Sequence, residues 1–100
     1  MKVFWTDRAK ARLREIHDYI AQDAPLAAPK VVRRLVQRSR QLAELPWSGR
    51  SVPEYQQDDL RELLERPYPI IYVVLPDQGR VDVLTVRHYR QLLSSDLTEL

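Results

Sequence analysis

The chain contains no cysteine. Disulfides, thiolate zinc sites and cysteine nucleophiles are therefore excluded. Glycine occurs only twice, at Gly49 and Gly79, too sparsely for the glycine-rich loops that cradle phosphates. The longest uninterrupted apolar run, Ile70 to Leu75, falls far short of the roughly 20 residues that span a bilayer. Met1–Trp5 leads straight into charged residues, so no secretory signal is read at the amino end. These absences together point to the cytoplasm. Histidine is scarce as well. His17 and His88 sit on different elements without metal-ligand spacing, so neither a metal centre nor a cofactor is expected. No G-x-S-x-G elbow or P-loop occurs. Asp58-Asp59 reads as a turn and Glu62/Glu65 as a solvated strand edge, which leaves no paired-carboxylate site.

What remains is the composition of one soluble globular domain spanning residues 1–100, with 44% hydrophobic and 30% charged residues. The net charge of +2 conceals a division. Residues 1–50 hold eleven Lys or Arg against five Asp or Glu, and residues 51–100 hold five against nine. A basic surface built from the first half suits nucleic acid or an acidic partner, or simply keeps two helices solvated.

Lys2–Trp5 reads as a short opening strand. Thr6 offers an N-cap oxygen, and Ala9, Leu13, Ile16 and Ile20 follow at i, i+4, i+7 and i+11 on one helix face. This helix is expected to end near Gln22–Ala24, because Pro25 disfavours a helical conformation before it. A second helix, patterned by Ala28, Val32, Leu35, Ser39 and Leu42, is expected to run to about Leu45 and stop at Pro46. Its cations Lys30, Arg33, Arg34, Arg38 and Arg40 spread around the helix rather than forming a stripe. The short linker makes the two helices an antiparallel hairpin. Pro46–Asp59 lacks periodicity and reads as an ordered surface loop. Leu60–Leu64, Tyr68–Leu75 and Arg80–Val86 read as strands, with Gly79 supplying a positive φ in the last turn. Arg87–Leu100 suggests a short terminal helix or tail.

The order β-α-α-β-β-β predicts an α+β fold, with the helix hairpin packed on one face of an antiparallel sheet. Tyr68–Leu75 is apolar at nearly every position, so its second face also wants cover, from a partner or from a loop or tail folding back. Chemistry concentrates in Arg87-His88-Tyr89-Arg90. An imidazole, a phenol and two guanidiniums suit RNA cleavage, with His88 or Glu54 taking a 2′-hydroxyl proton. The chemistry of these residues alone favours His88 and Tyr89 closing the end of a sheet, with the arginines solvated beside them.

The ordered series of short matches resembles the RelE/ParE family of type II toxin–antitoxin toxins. It comprises Tyr19-Ile20, Pro25-x-Ala27-Ala28, Leu45-Pro46, Gly49-Arg50-x-Val52-Pro53-Glu54, Leu60-Arg61-Glu62-Leu63, Tyr68-x-Ile70-Ile71-Tyr72 and Val83-Leu84-x-Val86-x-His88. The resemblance implies a helix hairpin on an antiparallel sheet. It also implies a cognate antitoxin as partner in a hetero-oligomer, and plasmid stabilisation as a setting. RelE-like members cut mRNA on the ribosome, whereas ParE-like members inhibit DNA gyrase by binding. RelE-like nucleases tend to carry an arginine in the Tyr-Arg-Ile-Ile-Tyr-type strand, and here that position is Pro69. Proline brings no cation and no backbone donor, so a local edge or bulge is expected there. The Gly49–Glu54 loop also looks ParE-like, and the resemblance therefore implies a gyrase inhibitor rather than an enzyme. Target-binding residues implied near the sheet end are Arg61, Arg87, His88 and Arg90. In a nuclease, His88, Tyr89, Arg61, Arg87 and Glu54 would act. Ile71, Val73 and Leu75 are the expected antitoxin-binding residues.

Overall fold

The computed structural model describes residues 1–52 and 55–88. The chain order is β1 (Lys2–Trp5), α1 (Asp7–Ala21), α2 (Ala28–Ser39), β2 (Arg50–Ser51), β3 (Leu60–Glu65), β4 (Tyr68–Leu75) and β5 (Arg80–Val86). In space the strands lie in the order β1-β5-β4-β3-β2. β3, β4 and β5 form the expected three-stranded antiparallel meander and β2 adds antiparallel to it, but β1 pairs parallel to β5, from Lys2↔Arg80 to Trp5↔Val83. The sheet is therefore mixed rather than antiparallel. The cause is topological: β1 and β5 are separated by the helix hairpin and three strands, a connection long enough to return the chain in the same direction.

Thr6 joins strand to helix. Its hydroxyl accepts from the Ala9 N–H at 3.2 Å, capping α1, and donates to the Val83 carbonyl at 2.8 Å. The helix ends at Ala21, a residue before the expected stop, and Asp23 and Ala24 both donate to the Ile20 carbonyl. The second helix is regular only to Ser39; Arg40–Ala43 tightens into a 3-10 turn short of Leu45. Gly79 takes the positive φ of 63° at the β4–β5 turn.

The main core lies between hairpin and sheet. Ala9, Leu35, Leu42, Leu63, Ile70, Tyr72, Val74, Val81, Val83 and Val86 are buried there, with Leu13, Ile16 and Trp5 packed around them. Each fully buried aliphatic side chain contributes about 1.5–3 kcal/mol of transfer free energy. The opposite face is partly covered by the chain's own loop, because Val52, Leu60 and Ile71 are buried in a second cluster with Tyr55 and Leu84 against it. Ile71 is fully buried, while Val73 and Leu75 are half-buried.

Pro69 lies neither at an edge nor at a bulge. It is buried in β4, an inner strand, opposite Leu64 and one residue from the strand's start. Its carbonyl accepts from the Arg87 N–H at 3.1 Å. The irregularity is displaced to β5, where Leu84 is the extra residue between the pairs Ile71↔Thr85 and Tyr72↔Val83. The Pro46–Asp59 segment is not all loop either, since Arg50–Ser51 adds an edge strand to β3. Beyond His88, the short helix or tail expected over Arg87–Leu100 lies outside the described residues.

Tyr72 fixes that segment. Its hydroxyl donates to the Pro46 carbonyl and accepts from the Gly49 N–H, both at 2.9 Å. Gly49 is required by close approach: a Cβ there would stand 2.5 Å from the Tyr72 hydroxyl and 2.6 Å from the Glu62 carbonyl. Burial pushes the Tyr72 hydroxyl above its ordinary value of 10.0, with the Gly49 N–H and the Arg61 charge partly offsetting it. The neutral phenol's contribution is therefore complete below about pH 10 and is lost as pH rises through the folded-state value. Tyr72→Phe is expected to cost about 1–3 kcal/mol. It should also flatten the alkaline fall in stability, as read by urea unfolding at pH 8 and 10.5. Gly49→Ala should destabilise by a similar amount.

Candidate functional site

The sequence-expected residues occupy two separate places. The first is the end of the sheet where β5 runs out. His88 is exposed there and meets Tyr68 edge to face, with ring centroids 5.8 Å apart and planes at 83°. Both rings line a groove of about 530 Å³ between the sheet end and α1. Its other walls are Arg12, Glu15, Ile16, Tyr19, Ile20 and Val86. Positions 12, 16 and 20 share a helix face by the i, i+4, i+8 rule, and Tyr19 stands beside them, 68% exposed. Arg12 and Glu15 form an ion pair at 3.0 Å on the rim. The groove therefore presents an imidazole, two phenols and a guanidinium over an apolar floor. Such a set can hold an aromatic or aliphatic side chain and move a proton at its mouth.

Arg87, the neighbour of His88, does not share this exposure: it is only 2% exposed. Tyr89 and Arg90 lie outside the described residues, as does Glu54.

The second place is the corner beneath β3. Arg61 faces Tyr72 across the ladder, four residues along β4 from Tyr68, or about 13 Å along the strand. Its guanidinium is committed to the fold. Nε donates to the Asp58 carbonyl at 2.8 Å, Nη1 to the Gly49 carbonyl at 3.2 Å, and Nη2 to the Asp58 carboxylate at 3.0 Å. The same group lies over the half-exposed Trp47 ring, 5.1 Å from its centroid. Arg61 and His88 are thus not gathered around one point.

The carboxylates also differ from the solvated edge expected for them. Glu62 is buried, and its Oε1 takes the Arg50 Nε at 2.7 Å. Glu65 accepts Arg34 Nε at 3.0 Å and Arg38 Nε at 3.5 Å from α2. Both acids are structural partners of cations. Among the described residues, no group of three or more His, Asp or Glu side chains is placed to hold a metal ion. Nor is any described helix long and apolar enough to cross a membrane.

Sequence reasoning missed Tyr68, Arg12 and Tyr19 as groove residues. Arg12 carried a usable signal, since it stands four residues before Ile16 on the same helix face. The place of Tyr68 follows only from the pairing of β4 with β5.

A helix hairpin on one face of a small mixed sheet is the fold this chain shares with solved RelE/ParE-like toxins. The family model for the ParE toxin of the parDE type II toxin–antitoxin system matches residues 3–93. The chain belongs to this RelE/ParE family of toxins from type II toxin–antitoxin systems. It is 40% identical over 91 residues to the toxin RelE2 of Caulobacter vibrioides, covering 91% of this chain and 98% of that one. It is 41% identical over 90 residues to the putative toxin Y4kP of Sinorhizobium fredii, covering 90% of each. Among solved structures, the chromosomal ParDE system of P. aeruginosa superimposes with a TM-score of 0.74 at 26% identity. That match covers 88% of this chain and 95% of the other. The isolated E. coli RelE toxin, at 15% identity, shares the fold with a TM-score of 0.65 over 98% of this chain and 94% of its own.

The two places separate by mutation. Arg61→Ala is expected to cost about 1–3 kcal/mol in urea unfolding and to shift Trp47 fluorescence, because it strips the Gly49 and Asp58 carbonyls of a charged donor. His88→Ala loses an exposed ring contact and should cost at most about 0.5–1.5 kcal/mol.

Proposed function

We propose that this toxin inhibits DNA gyrase by binding it and is neutralised by a cognate antitoxin. The observation that carries the reading is Pro69. Where nuclease relatives tend to place an arginine, this chain has a residue with no cation to offer a phosphorane. Two further observations support it. Arg61 is spent on Asp58, Gly49 and Trp47, and Arg87 is buried. Arg61, held by the fold and about 13 Å along the strand from Tyr68, is thus not placed beside His88 to stabilise a phosphoryl transition state. The family model and the P. aeruginosa ParDE likeness lie on the same side.

The antitoxin would cover apolar surface on the face of the sheet away from the helices. Val73 and Leu75 are half-buried there, with the exposed Phe4 on β1 sharing that face. Ile71 is already enclosed by Val52 and Leu60 and would contribute packing beneath the contact. A segment that folds on binding suits such a surface.

A ribosome-dependent endoribonuclease is the second reading. It is favoured by the exposed His88 at a groove that also contains Arg12, and by the likeness to a toxin named RelE2. A family member that keeps the fold and antitoxin binding without toxicity is a third possibility for the same chain.

The deciding experiment is gyrase supercoiling of relaxed plasmid with ATP, titrated with purified toxin. Inhibition with accumulation of linear DNA, reversed by antitoxin and at most partly weakened by His88→Ala, is the expected result. Unimpaired supercoiling at large molar excess, with mRNA cleaved on translating ribosomes and cleavage abolished by His88→Ala, would overturn it.

A further inference from the structure

The two helices expose very different charge. On α1 the signs are mixed, with Asp7, Glu15 and Asp18 among Arg8, Lys10, Arg12 and Arg14, the pattern of an ordinary solvated helix. From Ala24 to Ala43 there is no acidic residue at all, while Lys30, Arg33, Arg34, Arg38 and Arg40 fall within that stretch. Folding then sorts these five. Glu65 reaches from β3 to Arg34 and Arg38, and Arg38 also donates to the Leu64 carbonyl at 3.2 Å. Those two cations serve the junction between helix and sheet edge. Lys30, Arg33 and Arg40 are exposed and have no acidic partner among the described residues. At 100° per residue, positions 30, 33, 37 and 40 lie within about 80° of one another and span about 15 Å of helix. The cations left over thus form one stripe, although all five taken together spread around the helix.

We propose that the stripe Lys30–Arg33–Arg40, with Gln37 between, is a docking surface for duplex DNA that grips the sugar-phosphate backbone without reading sequence. Charge complementarity selects the partner class: a single-sign row of guanidinium and ammonium groups matches regularly spaced phosphates. Between Lys30 and Arg40 no aromatic or large aliphatic side chain is exposed. A protein interface would lack its apolar anchor there, and a single strand would lack rings on which to stack its bases. The surface depends on α2 and the first residue of the 3-10 turn that follows it, and is independent of which target the toxin attacks.

The test is fluorescence anisotropy of a labelled duplex of about 24 base pairs, titrated with the full chain at several salt concentrations and without gyrase. Three phosphate contacts at about 0.9 counterions each predict a log–log salt slope near −3. The triple variant Lys30→Gln, Arg33→Gln, Arg40→Gln should lose at least about tenfold in affinity near 50 mM salt and most of that slope. Lys2→Gln with Lys10→Gln, exposed cations elsewhere, should lose far less. Circular dichroism of each variant confirms that the helices persist. The proposal is overturned if the parent chain fails to bind duplex at about 25 mM salt, or if the triple variant binds as the parent does. Tighter binding of a single strand of equal length also overturns it. So does stripe-dependent binding of polyglutamate without DNA binding, which would assign the surface to an acidic protein. Because gyrase is absent, these failures are distinct from failure of the gyrase reading.

Discussion

One buried hydroxyl organises the second half of this chain. Tyr72 sits on an inner strand and holds two backbone groups distant in sequence, the Pro46 carbonyl and the Gly49 N–H. Because Gly49 has no Cβ, the corner lies flat against the ring and the Glu62 backbone. Everything downstream in the segment inherits that position. Arg50 falls opposite Glu62, so an edge strand forms and a buried carboxylate finds its cation. Arg61 meets the Gly49 carbonyl and the Trp47 ring, and Val52 is delivered to the opposite face of the sheet over Ile71. A buried carboxylate without its partner would be strongly unfavourable, so the corner and the ion pair support each other.

The helices and three main strands were legible because their signals are local. Thr6 before the α1 stripe, β-branched residues at Tyr68–Leu75 and Gly79 in the turn each decide structure within a few residues. What the sequence did not disclose depends on contacts between distant segments. Parallel pairing of β1 with β5 is one case, since four residues carry no sign of direction. The burial of Glu62 is another, because alternation along β3 places it on a face whose cover comes from Val52. Pro69 was expected to mark an edge or a bulge and marks neither. A proline near the start of a strand needs no edge when its carbonyl still serves the neighbouring strand. Of the candidate site, His88 was legible from its place after the last strand. The groove beside it was not, because α1 meets the sheet end only in three dimensions.

Cations in this molecule are sorted by the acids that meet them. Arg34, Arg38, Arg50 and Arg61 are held by Glu65, Glu62 and Asp58, while Lys30, Arg33 and Arg40 face outward. Arg61 is thereby held apart from His88, the cation and imidazole that a nuclease would bring together on one phosphate. A binding inhibitor needs surfaces, and the described residues offer three. They are a groove lined by Tyr19, Tyr68 and His88, a half-covered sheet face at Val73 and Leu75, and a basic stripe along α2 and the turn after it.

The central claim is that toxicity comes from occupancy rather than turnover, and stoichiometry tests it most directly. Residual gyrase activity would be followed against the molar ratio of toxin to gyrase, at gyrase concentrations well above the binding constant. The account predicts a linear fall that breaks at a fixed small-integer ratio, with no RNA fragments generated in parallel ribosome reactions. Full gyrase activity beyond that ratio, with many mRNA cleavages per toxin molecule on translating ribosomes, would contradict it.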